Sequence, residues 1–129
     1  LKVVSNQIGS PTSAELVANV TSLCLYRIAH NSHSSKEISG IYHLTATEKA
    51  SWYDFAKYVI IESQKFGVVF LTNPENIIAV NTSEYVLPAK RPVNSLLDTQ
   101  KLCKTFNLYL PAWQIHADRA IKELYSRRA

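Results

Sequence analysis

Gln7-Ile8-Gly9-Ser10-Pro11-Thr12-Ser13-Ala14-Glu15-Leu16 follows directly on an apolar run, residues 1–4, and reads as a strand that leaves a sheet, turns sharply and opens a helix. Thr12 and Glu15 stand at capping-box spacing, at which a threonine hydroxyl and a glutamate carboxylate would each satisfy a backbone N–H at the helix start. Pro11 and Leu16 fall where a hydrophobic staple would close the turn. These agreeing signals predict a turn of one shape, and rigid turns at strand ends are where α/β folds place ligands. Gln7, Ser10 and Thr12, with side chains able to hydrogen-bond, are therefore candidate walls of a binding site.

Outward from this turn, residues 13–29 carry Leu16, Val17, Val20, Leu23, Cys24 and Ile28 at helical spacing, which predicts an amphipathic helix. Residues 30–35 are polar and turn-rich. Gly40-Ile41-Tyr42-His43-Leu44 is a short run of strand formers behind a glycine. Ser51 precedes Trp52-Tyr53-Asp54 at a second cap-like spacing, and Trp52, Phe55, Val59 and Ile60 form an apolar stripe on a helix that Gly67 would stop. Ile77-Ile78-Ala79-Val80 predicts another short strand. Residues 81–94 are irregular, because Pro88 and Pro92 forbid regular helix around Ala89-Lys90-Arg91. Asp98 is placed to cap a short helix through Phe106. Leu110-Pro111-Ala112-Trp113 would begin a last helix, with Trp113, Ala117, Ala120, Ile121 and Leu124 on its buried face and Arg127-Arg128 at its C-terminus. The fold class expected is one mixed α/β domain over residues 1–129, helix-rich with a few short strands.

Composition narrows the function classes. A chain of 129 residues with 47% hydrophobic content can bury a core. The net charge of +4 is mild and its Lys and Arg are scattered, apart from Arg127-Arg128, so no nucleic-acid partner is expected. No apolar run reaches membrane-spanning length and no signal-peptide pattern is present, so no membrane partner is expected and the cytoplasm is the default location. Cys24 and Cys103 sit among apolar residues and read as small core fillers; no disulfide framework is visible. The chain has no methionine and begins at Leu1, so it is expected to be a piece of a longer protein.

Five stretches now stand in order: the opening turn through Leu16; Gly40 to Leu44; Ser51-Trp52-Tyr53-Asp54-Phe55-Ala56; Pro88-Ala89-Lys90-Arg91-Pro92-Val93-Asn94-Ser95; and Leu110-Pro111-Ala112-Trp113. In order and spacing they resemble the C-terminal part of the dTDP-4-dehydrorhamnose reductases, a family of extended short-chain dehydrogenases/reductases. The resemblance implies a parent enzyme that reduces a dTDP-linked deoxy-keto sugar with NADPH or NADH, toward dTDP-rhamnose and bacterial surface polysaccharide. It also implies that this chain is the nucleotide-sugar-binding part only. The N-terminal Rossmann part, with its glycine-rich turn and its catalytic tyrosine and lysine, would be a missing partner. Gly9, Gly40 and Gly67 are too far apart to form a dinucleotide turn, so the chain itself is expected to hold no nicotinamide cofactor and no activity. The alternative from another class is a non-catalytic nucleotide-sugar-binding or regulatory module related to the reductases. Use of a divalent metal and assembly into a homo-oligomer are left open.

Other constellations compete for attention. Tyr53 and Lys57 stand four apart on one predicted helix face, the spacing of a tyrosine with an activating lysine, but they read as ordinary amphipathic-helix residues. His30 and His33 near Cys24 lack the second ligand pair a structural zinc site needs. Arg91 is different. A guanidinium held beside Pro92 suits a two-point grip on a diphosphate; the competing reading is a surface arginine paired with an acid, and the resemblance favours the ligand. A Glu15 carboxylate in the capping box would weaken phosphate binding at the opening turn, so Gln7 and Ser10 are expected to meet uncharged parts of a ligand or to shape the wall.

Overall fold

The computed structural model of the chain describes residues 1–30, 38–84, 89 and 91–126. His33, Pro88, Lys90 and Arg127-Arg128, singled out above, lie outside the described residues. The elements are β1 (Lys2–Val4), β2 (Ile8–Gly9), α1 (Ala14–His30), β3 (Ala50–Ser51), α2 (Trp52–Gln64), β4 (Ile78–Val80), α3 (Gln100–Thr105) and α4 (Trp113–Ser126), with 3₁₀ turns at Pro74–Asn76 and Thr82–Glu84. This is the mixed, helix-rich α/β arrangement expected from the sequence.

The strands form two small pairings. β1 runs parallel to β4, with Val3 opposite Ala79, and Val80 buries its side chain. β2 runs antiparallel to β3, with Ile8 opposite Ser51 and Gly9 opposite Ala50. Ile8 also bridges in parallel to Asn94: its N–H donates to the Val93 carbonyl at 2.8 Å, and its own carbonyl accepts from the Ser95 N–H at 2.9 Å. The two-residue strand β2 thus holds two distant segments side by side.

Helices pack around this frame because each buries one stripe. Leu16 and Val20 of α1 join Ala46, Ala50, Leu102, Phe106, Leu108 and Trp113 in the core. Trp113 anchors α4 there, its ring edge-to-face with Phe55 at 5.5 Å and with Tyr58 at 4.8 Å. The Tyr58 hydroxyl donates to Asp118 Oδ1 at 2.7 Å and ties α2 to α4. At the far end of α1, Arg27 Nη1 donates to the Phe106 carbonyl, satisfying an acceptor that the end of α3 leaves open. The expected stop at Gly67 is present: its φ is +76° and its N–H returns to the Gln64 carbonyl at 2.9 Å, a conformation that favours glycine.

Several local expectations change. Ser13, not Thr12, caps α1: Ser13 Oγ accepts from the Leu16 N–H at 3.0 Å. Thr12 is drawn elsewhere, accepting from the Ala46 N–H at 3.1 Å and donating to the Ser10 carbonyl at 2.9 Å. Glu15 closes no capping box; it reaches Arg119 of α4 at 2.6 Å, with His116 at 3.7 Å. The second box is present in full at Ser51 and Asp54, each side chain bonding the other's backbone N–H.

Residues 40–44 form no strand. Exposure alternates there, Ile41 and His43 outward and Tyr42 and Leu44 inward, but a strand needs a ladder and no described segment supplies one. β3 forms instead at Ala50–Ser51, where Ile8 and Gly9 offer their edge. Pro111 stands just ahead of the last helix rather than in its first turn, its carbonyl accepting from the Thr47 N–H at 2.8 Å. Trp52, Val17, Leu23, Ile28, Ala120 and Leu124, assigned above to apolar faces, are exposed, since each helix has only one buried stripe and these lie beside it.

Candidate functional site

The opening turn does line a pocket, of about 390 Å³, within the range of small-molecule sites. Residues 7–12 form one wall, Ala50, Ser51, Trp52 and Phe55 a second, and Arg91, Pro92 and Ser95 the third. Each wall follows from a local cause. The first is an extended segment that exits β1 and must turn before Ser13 caps α1. The second is the β3–α2 junction, set by the Ser51–Asp54 box. The third arrives through the bridge from Ile8 to Asn94, which carries Arg91 to the turn from more than eighty residues away.

All four residues singled out by sequence are therefore brought together: Gln7, Ser10, Thr12 and Arg91 line the same pocket. Their surroundings differ. Gln7 is buried, and its Nε2 donates to Thr82 Oγ1 at 3.2 Å. Ser10 Oγ donates to the carbonyls of Ala46 at 2.6 Å and Glu48 at 2.8 Å. With Thr12 on the Ala46 N–H, these hydroxyls brace the loop at residues 46–48, where Glu48 takes a positive φ of 66°. Arg91 is exposed and makes no ion pair among the described residues.

The electrostatics follow directly. Arg91 is the one charged side chain among the described lining residues, which include no carboxylate. Glu15, whose charge would have opposed phosphate at the turn, is held by Arg119 on α4. Among the described residues the pocket is a mostly apolar cleft with aromatic rings at Trp52 and Phe55 and a cation at Arg91, a combination that suits an organic anion.

Trp52, Phe55 and Ser95 are pocket residues the sequence reading missed. Trp52 was placed on the apolar stripe of α2 but is 54% exposed; a large aromatic in the first helical position, directly after a cap, was the available signal. Ser95 had none, because only the long-range bridge brings it in. Tyr53 and Lys57 do not line the pocket: Lys57 Nζ sits 5.9 Å from the Tyr53 ring centroid, a surface cation–π contact. His30 stacks on Tyr26 at 4.2 Å and bonds its carbonyl through Nδ1 at 2.8 Å. No group of three or more His, Cys, Asp or Glu able to hold a metal occurs among the described residues, and Cys24 and Cys103 are free thiols. No helix among the described residues is long and apolar enough to cross a membrane.

Known proteins resemble the chain over nearly its whole length. The chain is 40% identical over 129 residues to the dTDP-4-dehydrorhamnose reductase of Escherichia coli, with all of this chain covered and 41% of that protein. The solved structure of a dTDP-4-dehydrorhamnose reductase ortholog from Clostridium acetobutylicum matches with a TM-score of 0.71 and 31% identity, over 96% of this chain and 38% of that one. The Bacillus anthracis dTDP-4-dehydrorhamnose reductase, solved in complex with NADP, shares the fold with a TM-score of 0.68 at 24% identity, over 100% of this chain and 38% of that one. The chain thus spans about two-fifths of the length of these relatives. Residues 1–126 match the description of the RmlD substrate binding domain, and the chain belongs to that family.

Proposed function

We propose that this chain is the substrate-binding part of an NADPH- or NADH-dependent dTDP-4-dehydrorhamnose reductase, and that a dTDP-linked deoxy-keto sugar occupies the pocket between the opening turn and Arg91. The observation that carries this reading is that Arg91 meets the opening turn across a pocket whose described lining is mostly apolar and includes no acidic residue. Arg91 grips the diphosphate, as a planar guanidinium does best. Gln7, Ser10 and Thr12, already committed to Thr82 and to the loop at residues 46–48, shape the wall for uncharged parts of the ligand. The reaction itself belongs to a cofactor-binding part outside these residues, which is the chain's partner, and the cytoplasm is its place.

A nicotinamide dinucleotide does not fit the residues present. At the start of α1 the Leu16 N–H is already taken by Ser13 Oγ and the Val17 N–H by the Ser13 carbonyl, and Gly9, Gly40 and Gly67 stand in three separate segments. No step through the cofactor is therefore drawn from this chain.

Calorimetry with thymidine, uridine and guanosine diphosphates tests the reading, with the thymidine compound expected to bind best. Arg91→Ala removes charge-assisted hydrogen bonds and is expected to weaken binding roughly tenfold or more. Unchanged affinity in Arg91→Ala would remove the diphosphate assignment. Incubating the chain with NADPH and the keto sugar nucleotide is expected to leave NADPH unoxidised; a sustained rate contradicts the division of labour.

A further inference from the structure

Gly9 poses a question that backbone conformation does not answer. Gly40 and Gly67 have positive φ; Gly9 does not, and it sits in β2 opposite Ala50. Nothing in its backbone calls for glycine. What calls for it is space: a Cβ at position 9 would lie 2.8 Å from Ser95 Oγ, closer than real Cβ contacts come.

Ser95 is held there by two bonds to one acceptor. Its N–H donates to the Ile8 carbonyl at 2.9 Å and its Oγ donates to the same carbonyl at 3.1 Å, which lays the hydroxyl across Gly9. On the same segment, Asn94 Oδ1 accepts from the Leu96 N–H at 2.9 Å, fixing the chain locally. Pro92 stiffens the link back to Arg91.

We propose that Gly9 and Ser95 are a positioning pair: the missing side chain at one and the hydroxyl at the other set the distance between the turn at residues 7–12 and the wall carrying Arg91. The pair thereby tunes the grip of Arg91 on a nucleoside diphosphate. This rests on the reading of the pocket given above. Ser95 need not contact the ligand; it acts through the segment it anchors. A methyl at position 9 makes Ser95 Oγ rotate off the Ile8 carbonyl, and Ser95→Ala removes the same bond, while the main-chain bond from Ser95 remains in both.

Four variants of the full chain test this: Arg91→Ala, Gly9→Ala, Ser95→Ala and the Gly9→Ala/Ser95→Ala double. Thymidine diphosphate affinity is read by calorimetry. Amide hydrogen exchange at Ile8 and Ser95 is read by NMR, with Ser5, whose N–H donates to the Val80 carbonyl at 2.9 Å, as the internal reference. Gly9→Ala is expected to weaken binding roughly three- to tenfold, about the worth of one hydrogen bond, and to speed exchange at Ile8 and Ser95 while Ser5 stays protected. Ser95→Ala should weaken binding to a similar degree, since it removes the same bond to the Ile8 carbonyl, and the double variant should lose no more than either single.

Gly9→Ala binding as the parent does overturns the proposal, whatever the exchange rates. So does a double variant that loses the sum of the two singles, which would place the effects in separate contacts. If Arg91→Ala binds normally, or the parent chain does not bind thymidine diphosphate, the diphosphate reading falls and takes the affinity role of the pair with it. The exchange rates then still decide whether the steric lock at Gly9 and Ser95 exists.

Discussion

Ser51→Ala is the perturbation whose cost the structure defines most closely. Ser51 is 3% exposed, and its Oγ accepts from the Asp54 N–H at 3.0 Å while donating to Asp54 Oδ2 at 2.6 Å. The Ser51 N–H donates to the same carboxylate oxygen at 3.0 Å. Alanine removes the first two bonds and keeps the third. Loss of a helix N-cap costs about 0.5–2 kcal/mol, and the loss here falls in the upper half, about 1–2 kcal/mol, because one of the lost bonds goes to a carboxylate. For a domain of this size that is a fall in Tm of roughly 3–8 °C. Urea unfolding followed by tryptophan fluorescence gives the free energy directly, since Trp52 adjoins the box in sequence and Trp113 packs on Phe55 and Tyr58 of α2. Asp54→Ala breaks the same box from the other side, so the two costs overlap. The double variant should lose less than the sum of the singles by at least about 0.5 kcal/mol. Additive costs, or a Ser51→Ala variant within about 0.3 kcal/mol of the parent, would refute the claim that this box anchors α2 and the second wall of the pocket.

Three further perturbations separate the remaining causes. Trp113→Ala should cost about 3–5 kcal/mol by urea unfolding, because its ring fills the junction of Phe55 and Tyr58; Trp113→Phe should cost far less, as it also removes a buried indole N–H that has no partner among the described residues. Burial, and then the hydrogen bond to Asp118, push the Tyr58 hydroxyl well above its ordinary pKa. The folded state then holds the proton more tightly than the unfolded one. The stabilisation is complete below the ordinary tyrosine value of about 10 and is lost as pH rises toward the folded-state value, so a stability–pH profile should fall less steeply above about pH 10 in Tyr58→Phe. An unchanged alkaline slope contradicts it. Glu15→Gln breaks a pair with Arg119 that is half open to solvent, so it should cost under about 1 kcal/mol at low salt and nearly nothing in high salt; a large, salt-independent loss would mean Glu15 does something other than join α1 to α4.

The sequence by itself determined the helices, the mixed α/β class and the sense that residues 7–16 form a corner. Those signals are local: helical spacing in residues 13–29, the Ser51–Asp54 cap spacing, the stop at Gly67 and the prolines around Arg91. Local signals also misled where two neighbours offered the same chemistry. Thr12 and Ser13 both can cap, and a single-residue choice between them was made by the Ala46 N–H, thirty-four residues downstream. Glu15 was free to turn to Arg119 only because α4 packs against the start of α1. Residues 40–44 have the composition of a strand, but a strand is a pairing, and composition does not say whether a partner is present. The pocket depended most on the tertiary structure. Gln7, Ser10 and Thr12 could be named from the turn, and Arg91 from its proline-flanked position, yet their meeting rests on two hydrogen bonds at Ile8 to Val93 and Ser95. The space that the Ser95 hydroxyl occupies on the Ile8 carbonyl is left by a side chain that Gly9 lacks, a steric fact between residues eighty-six positions apart that no local pattern can encode.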